Sequence, residues 1–439
     1  MSLLAQGIVG GIVGITTTSA IISLRVATNI FLAASDTAIV DTLLQLIHRS
    51  LEALTQSLSG AALIWRGIFT NGTNDTSVHF ILNHLSELFA FLYDMFKPAN
   101  VIPRFPIGFG NGQENASVDN PYNELDLRRE ENRRACIYQV QRVAVTLTSI
   151  LKMGRGPVPR GGLGDLQMNA RLRSDFDKAN NPPPPTYDAR LEHGQKPIYP
   201  DERWLFINGI ANEFVWFQRS CDKLRDTFRR DVRGVFNRSD GFLWDLIECC
   251  GERSAADAAG NDIIARTQSS RAAQDVLARE LAAALWPADG AGPPAKVVMV
   301  AHSQGCLLLR LALHRLVRDG AGQAPARRRD MAERLHVFTF GNPSVDWRVL
   351  DGGEVRPLSA YARVTEHFAH RADFVAMLGC VTQAAGAESG YAGAPVFFSN
   401  GGRGHLFGAH YSLGAESYVD GDNSKLLKAV AGRPLWLEE

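Results

Sequence analysis

The sequence predicts an α/β fold, a mostly parallel β-sheet with helices on both faces, behind a mostly helical N-terminal extension. Three observations lead there. Beyond residue 200, short β-rich runs alternate with amphipathic stretches of helical period. One of those runs, Val297-Val298-Met299-Val300, is unbroken and apolar, as a strand buried on both faces must be. The chain is 439 residues long, 45% hydrophobic and 21% charged, so it has the material for a large core.

The extension comes first. Residues 2–24 carry no charge, and after Arg25 a second uncharged run reaches Ser35. The length suits a bilayer span, and Gly7, Gly10, Gly11 and Gly14 suit close helix packing. Thr17, Thr18 and Ser19 weaken that case. Two readings stay open, a membrane-associated helix over 1–35 or a helix buried within the protein. A signal peptide is disfavoured, because no positive charge precedes the run. Residues 36–97 carry helical periodicity, 98–125 read as a loop, 130–152 as a helix and 154–164 as a breaker-rich stretch. The prolines at 182–185 mark an extended linker. The expected division is a helical region over 1–180, a linker over 181–200 and an α/β domain over 201–439.

Within that domain, strands are expected at 204–207, 232–236, 297–300, 336–340, 362–366 and 396–399. Helices are expected at 213–229, 272–285, 304–317 and 424–430. The run Arg327-Arg328-Arg329 reads as a solvated loop.

Charge and cysteine usage exclude some functions. Lys plus Arg and Asp plus Glu both number 46, so no net charge argues for a nucleic-acid partner. The 6 cysteines are sparse and form no CxxC pair, which argues against a zinc site and for a reducing compartment. No metal or organic cofactor is implied. A cytoplasmic or membrane-associated location is expected over secretion. Asn-x-Ser/Thr sequons at Asn71, Asn74, Asn115 and Asn237 barely alter this, because such short matches arise often by chance.

The most informative segment is Val300-Ala301-His302-Ser303-Gln304-Gly305-Cys306. It sets a serine between small residues, after a buried strand and before an apolar helix. A serine there can simply cap the helix. It can also be a nucleophile elbow, G-x-S-x-G, in which a sharp turn lifts the hydroxyl clear and small flanking residues avoid the neighbouring strand. Ala301 replaces the first glycine at the cost of one methyl group.

Together with Phe206-Ile207-Asn208-Gly209-Ile210 and Thr339-Phe340-Gly341-Asn342-Pro343, this segment resembles the lipase-like branch of the α/β-hydrolases over residues 200–439. The resemblance implies the order Ser, Asp, His, with Ser303 as nucleophile. The acid it implies is Asp373, with Asp346 and Glu366 as rivals. The base is His405 or His410, with His405 preferred because it follows a glycine-rich turn. His302 is expected to be structural, and His367 and His370 to be loop residues. The implied oxyanion donors are the backbone N–H groups of Gln304 and Ile210. The implied activity is hydrolysis of a small-molecule or lipid ester through an acyl-enzyme. Membrane contact through the N-terminus would fit such a substrate. A thioesterase, an acyltransferase or a catalytically silent binding protein would use the same framework.

Overall fold

The computed structural model describes residues 183–192, 198–238, 268–287, 292–318, 324–386 and 389–435 almost throughout, with residue 249 and parts of 83–91 and 120–139. The run at 1–35, the breaker-rich stretch at 154–164 and the sequons at Asn71, Asn74 and Asn115 lie outside the described residues. Among the described residues, no helix is long and apolar enough to cross a membrane.

The fold is α/β. Its strands are β1 (Thr186–Ala189), β2 (Glu202–Ile207), β3 (Val232–Val235), β4 (Lys296–His302), β5 (Leu335–Phe340), β8 (Val364–Ala369) and β9 (Val396–Phe398), and a hairpin of β6 (Arg348–Asp351) and β7 (Glu354–Pro357) stands apart. The main sheet has seven strands in the order β1-β3-β2-β4-β5-β8-β9. Every neighbouring pair is parallel except β1 with β3. The longer helices are α1 (Phe214–Phe228), α2 (Gln268–Leu285), α3 (Gln304–Arg318) and α4 (Ala324–Arg334), followed by the short α5 (Phe374–Leu378), α6 (Cys380–Gln383) and α7 (Lys425–Lys428).

Strand alternation splits the core in two. Leu205, Ile207, Val297, Met299 and Ala301 face one way, onto Leu277 and Leu281 of α2 and Leu307 and Leu308 of α3. Phe206, Val298, Val300, Phe338 and Phe340 face the other way, onto Phe217, Leu224 and Phe228 of α1 and Leu426 and Leu427 of α7. With both faces covered, the strands read as continuous apolar runs.

The strand order places the site. From β2 the chain moves to β3 on one side, then crosses to β4 and continues outward through β5, β8 and β9. The winding therefore reverses between β2 and β4. Such a switch point leaves a crevice at the carboxyl ends of the strands, where open α/β sheets bind ligands. Here the switch point lies between Asn208-Gly209 and Ser303, which pack against each other.

Several expectations need correction. Part of the expected linker is β1, paired antiparallel with β3 at the sheet edge. The prolines suit that place, because an edge strand tolerates a missing N–H and Thr186 and Tyr187 favour extended backbone. The arginine run belongs to helix α4, not a loop. Arginine and alanine are good helix formers, and Arg328 ties α4 to Asp351 at 2.7 Å. The strand expected at 362–366 runs to Ala369. His367 is thus a buried strand residue, its Nδ1 2.6 Å from the Thr339 hydroxyl. The β6–β7 hairpin was not expected, although Gly352 and Gly353, both at positive φ, signal its turn.

Candidate active site

Ser303 directly follows β4 and immediately precedes α3, with φ at +57°. That left-handed conformation costs a non-glycine residue about 1–3 kcal/mol and must be held by its surroundings. The Ser303 N–H donates to the Phe340 carbonyl at 2.8 Å, and Cys306 N–H donates to the Ser303 carbonyl at 2.8 Å. Small neighbours make the turn possible. A Cβ on Gly305 would sit 2.7 Å from the Asn208 carbonyl oxygen, and one on Gly209 would sit 2.2 Å from the Ser303 Cβ. Ala301 fits fully buried in β4.

The Ser303 hydroxyl donates to His405 Nε2 at 2.6 Å. His405 Nδ1–H donates to Asp373 Oδ2 at 2.7 Å. All three side chains are buried. The chain of bonds has the polarity that lets an imidazole take a proton from the serine while the carboxylate fixes its tautomer.

Asp373 follows β8 and caps α5. Its Oδ1 accepts from the N–H groups of Val375 and Ala376 at 2.9 and 3.4 Å. The capping role and the contact with His405 thus use different oxygens. Oδ2 also accepts from the Tyr411 hydroxyl at 2.7 Å. Burial, and then the nearby carboxylate, push the Tyr411 phenol well above its ordinary range, so it remains a donor. Gly341, at φ +59°, leaves room for this cluster. A Cβ there would meet the Tyr411 hydroxyl at 2.9 Å and Asp373 Oδ2 at 3.0 Å.

The other sequence candidates lie elsewhere. Asp346 pairs with Arg348 at 2.8 Å. Glu366 caps α7, accepting from the Ser424 hydroxyl and Lys425 N–H, both at 2.7 Å. His410 does not bond to Ser303. Its Nδ1 accepts from the Leu406 N–H at 3.0 Å, so it braces the turn that carries His405. Burial lowers the His410 imidazole to about 3 and keeps it neutral. His302 lies 2.7 Å through Nε2 from the His405 carbonyl oxygen, and burial, with His405 beside it, holds it neutral. His370 is buried and stacks on Tyr411 with ring centroids 4.1 Å apart.

Gln304 opens α3 directly after Ser303, and Ile210 is buried just past Gly209, which packs on Ser303. A network missed in the sequence ties these two segments together. Asn208 and Asn237 bond reciprocally, each N–H to the other's oxygen, at 2.8 Å. The Asn237 amide then donates to Gln304 Oε1 at 2.7 Å. Asn237 is wholly buried, so its sequon is structural. Most of the segment after it, residues 239–248, lies outside the described residues. An aromatic ring also lies beside the histidine. Phe91 is buried and meets the His405 ring edge-on at 5.9 Å, next to Phe374 at 6.2 Å.

Among the described residues, no three His, Cys, Asp or Glu side chains group as a metal site requires. No family model, curated protein or solved structure matches this chain.

Proposed function

We propose that the protein is a serine hydrolase of the α/β-hydrolase type that cleaves carboxylic esters with an apolar acyl group. One observation carries this reading, the continuous buried relay from Ser303 through His405 to Asp373. A serine whose only task is to cap a helix has no need of an imidazole at 2.6 Å backed by a carboxylate.

In the proposed reaction Ser303 attacks the ester carbonyl while His405 takes its proton. His405 then returns that proton to the departing alkoxide, leaving an acyl-Ser303 ester. A water, deprotonated by the same imidazole, releases the acid. Asp373 stabilises the imidazolium in both halves. The N–H groups of Gln304 and Ile210 are the proposed oxyanion donors. The Phe91 and Phe374 rings beside His405 make an apolar setting that favours an acyl chain over a charged one.

Labelling with a fluorophosphonate tests this directly. The wild type should react, and Ser303→Ala should not. His405→Ala should lose at least ~10³-fold in labelling rate, whereas His410→Ala should keep most of it. Equal labelling of wild type and Ser303→Ala would remove Ser303 from the mechanism. Absence of labelling in both would favour a silent binding protein. A panel of oxygen esters and thioesters of rising chain length would then assign the substrate class.

A further inference from the structure

The segment 405–411 carries both donors to Asp373 Oδ2, His405 at one end and Tyr411 at the other. It belongs to no strand or helix. Within it, His410 and Tyr411 N–H groups turn back onto the Leu406 carbonyl at 2.9 and 3.2 Å. Those local bonds shape the turn but do not attach it to the sheet.

Beyond the bond from His302 of β4 to the His405 carbonyl, at 2.7 Å, attachment comes from charged groups far away in sequence. Glu124 spreads its carboxylate across two consecutive amides, Gly408 N–H to Oε1 and Ala409 N–H to Oε2, each at 2.7 Å. Lys223, on α1, points its ammonium at three carbonyls of the same turn, those of Phe407 at 2.7 Å, Gly408 at 3.2 Å and Tyr411 at 2.6 Å. Asn120 adds a bond to the Gly408 carbonyl at 2.9 Å. The Gly408 peptide is therefore gripped on both its N–H and its C=O sides. Gly408 has no room for a side chain, since a Cβ would come 2.1 Å from the Tyr122 carbonyl oxygen and 2.6 Å from Glu124 Oε2. Two independent features, the charge pair and the close approach at glycine, point to one docked geometry.

Glu124 and Lys223 are both buried, and neither touches the reacting atoms. Burial pushes the Glu124 carboxyl up and draws the Lys223 ammonium down to about 8, while each charge favours the other. Burying two charges without full hydrogen bonding is costly, so their complete use on one turn fits a demand for exact placement.

We infer that Glu124 and Lys223 are positioning residues for His405, so that the segment before the expected linker completes the active site. This rests on the proposed hydrolase reading for its kinetic consequence, though not for its structural one. Residues 120–139 are thus part of the catalytic unit, not of a separate N-terminal domain.

The full-length chain allows the test. Glu124→Gln keeps the shape but sets an NH2 against one of two N–H donors. Its kcat on a chromogenic short-chain ester should fall by ~10-fold or more with KM within about twofold, because a small displacement of a catalytic group has large rate costs. Asn120→Ala, which removes a half-buried donor, should lose a few-fold in the same direction. Arg356→Ala deletes an exposed ion pair with Glu354 on the β6–β7 hairpin and should keep wild-type kcat. A second readout is independent of turnover: the far-downfield proton resonance of the His405–Asp373 hydrogen bond. It should persist in wild type and Arg356→Ala, and broaden or vanish in Glu124→Gln.

A folded Glu124→Gln with native kcat and an unchanged resonance would overturn the inference. If that variant does not fold, a native resonance and kcat in Asn120→Ala would do the same. If the wild type hydrolyses no ester but the resonance follows the expected pattern, the hydrolase reading fails and the positioning role stands.

Discussion

The serine and the histidine sit 2.6 Å apart but are held in place by opposite means. Ser303 is fixed by backbone. Its strand, its left-handed turn and its helix are contiguous, and the space it needs is left by the absence of side chains at Gly209 and Gly305. His405 is fixed by side chains. Its turn belongs to no regular element and is tied down by an ammonium and a carboxylate borrowed from residues 223 and 124. One half of the site is thus built from steric exclusion, and the other from long-range charged hydrogen bonds. The two halves should fail differently.

The largest effect is expected on the serine side. Gly209→Ala places a methyl within 2.2 Å of the Ser303 Cβ. It should lower kcat by ~100-fold or more through displacement of the elbow. Rapid kinetics of fluorophosphonate labelling will measure it, and a loss below about threefold would show the elbow to be pliant. On the histidine side, Tyr411→Phe removes one of two donors to Asp373 Oδ2 while keeping the ring that stacks on His370. A loss of ~3–10-fold in kcat is expected, and an unchanged kcat would assign Tyr411 to packing alone.

The mildest test reads stability. Burial holds His314, His336 and His370 at about 4, and His367 and His410 at about 3, below the ordinary 6.5. Between pH ~6.5 and ~4 the unfolded chain binds protons that the native fold refuses, so stability is full above that window and is lost as pH falls through it. Each such imidazole should lower the melting temperature by roughly 3–5 °C per pH unit there, from about 1.4 kcal/mol per proton. His370 and His410 both lie against the histidine turn, through Gly404 and Leu406. A His410→Asn variant should flatten the slope, and an unchanged slope would place the acid-sensitive groups elsewhere.

Sequence alone reached the parts of this molecule that are local. The buried strand at 297–300 and the small residues around Ser303 follow from short-range rules, the order of acid and base came only from the family resemblance, and the structure brings Ser303, Asp373 and His405 together. The sequence preferred His405 over His410 on its glycine-rich turn alone, because both occupy the same stretch; the bonds of His405 to Ser303 and Asp373, and of His410 to Leu406, distinguish them. Glu124 and Lys223 left no readable signal. Their partners are backbone groups 184 to 285 residues away, which impose no pattern on nearby sequence. β1 was hidden by the prolines that precede it, since an edge strand looks like a linker when its pairing partner is unknown.

The burial of Ser303 has a kinetic consequence. In the arrangement described the hydroxyl meets no solvent, so under the proposed function a substrate first has to find a molecule in which it is uncovered. Apparent affinity is then intrinsic affinity scaled down by the fraction of time the entrance stands open.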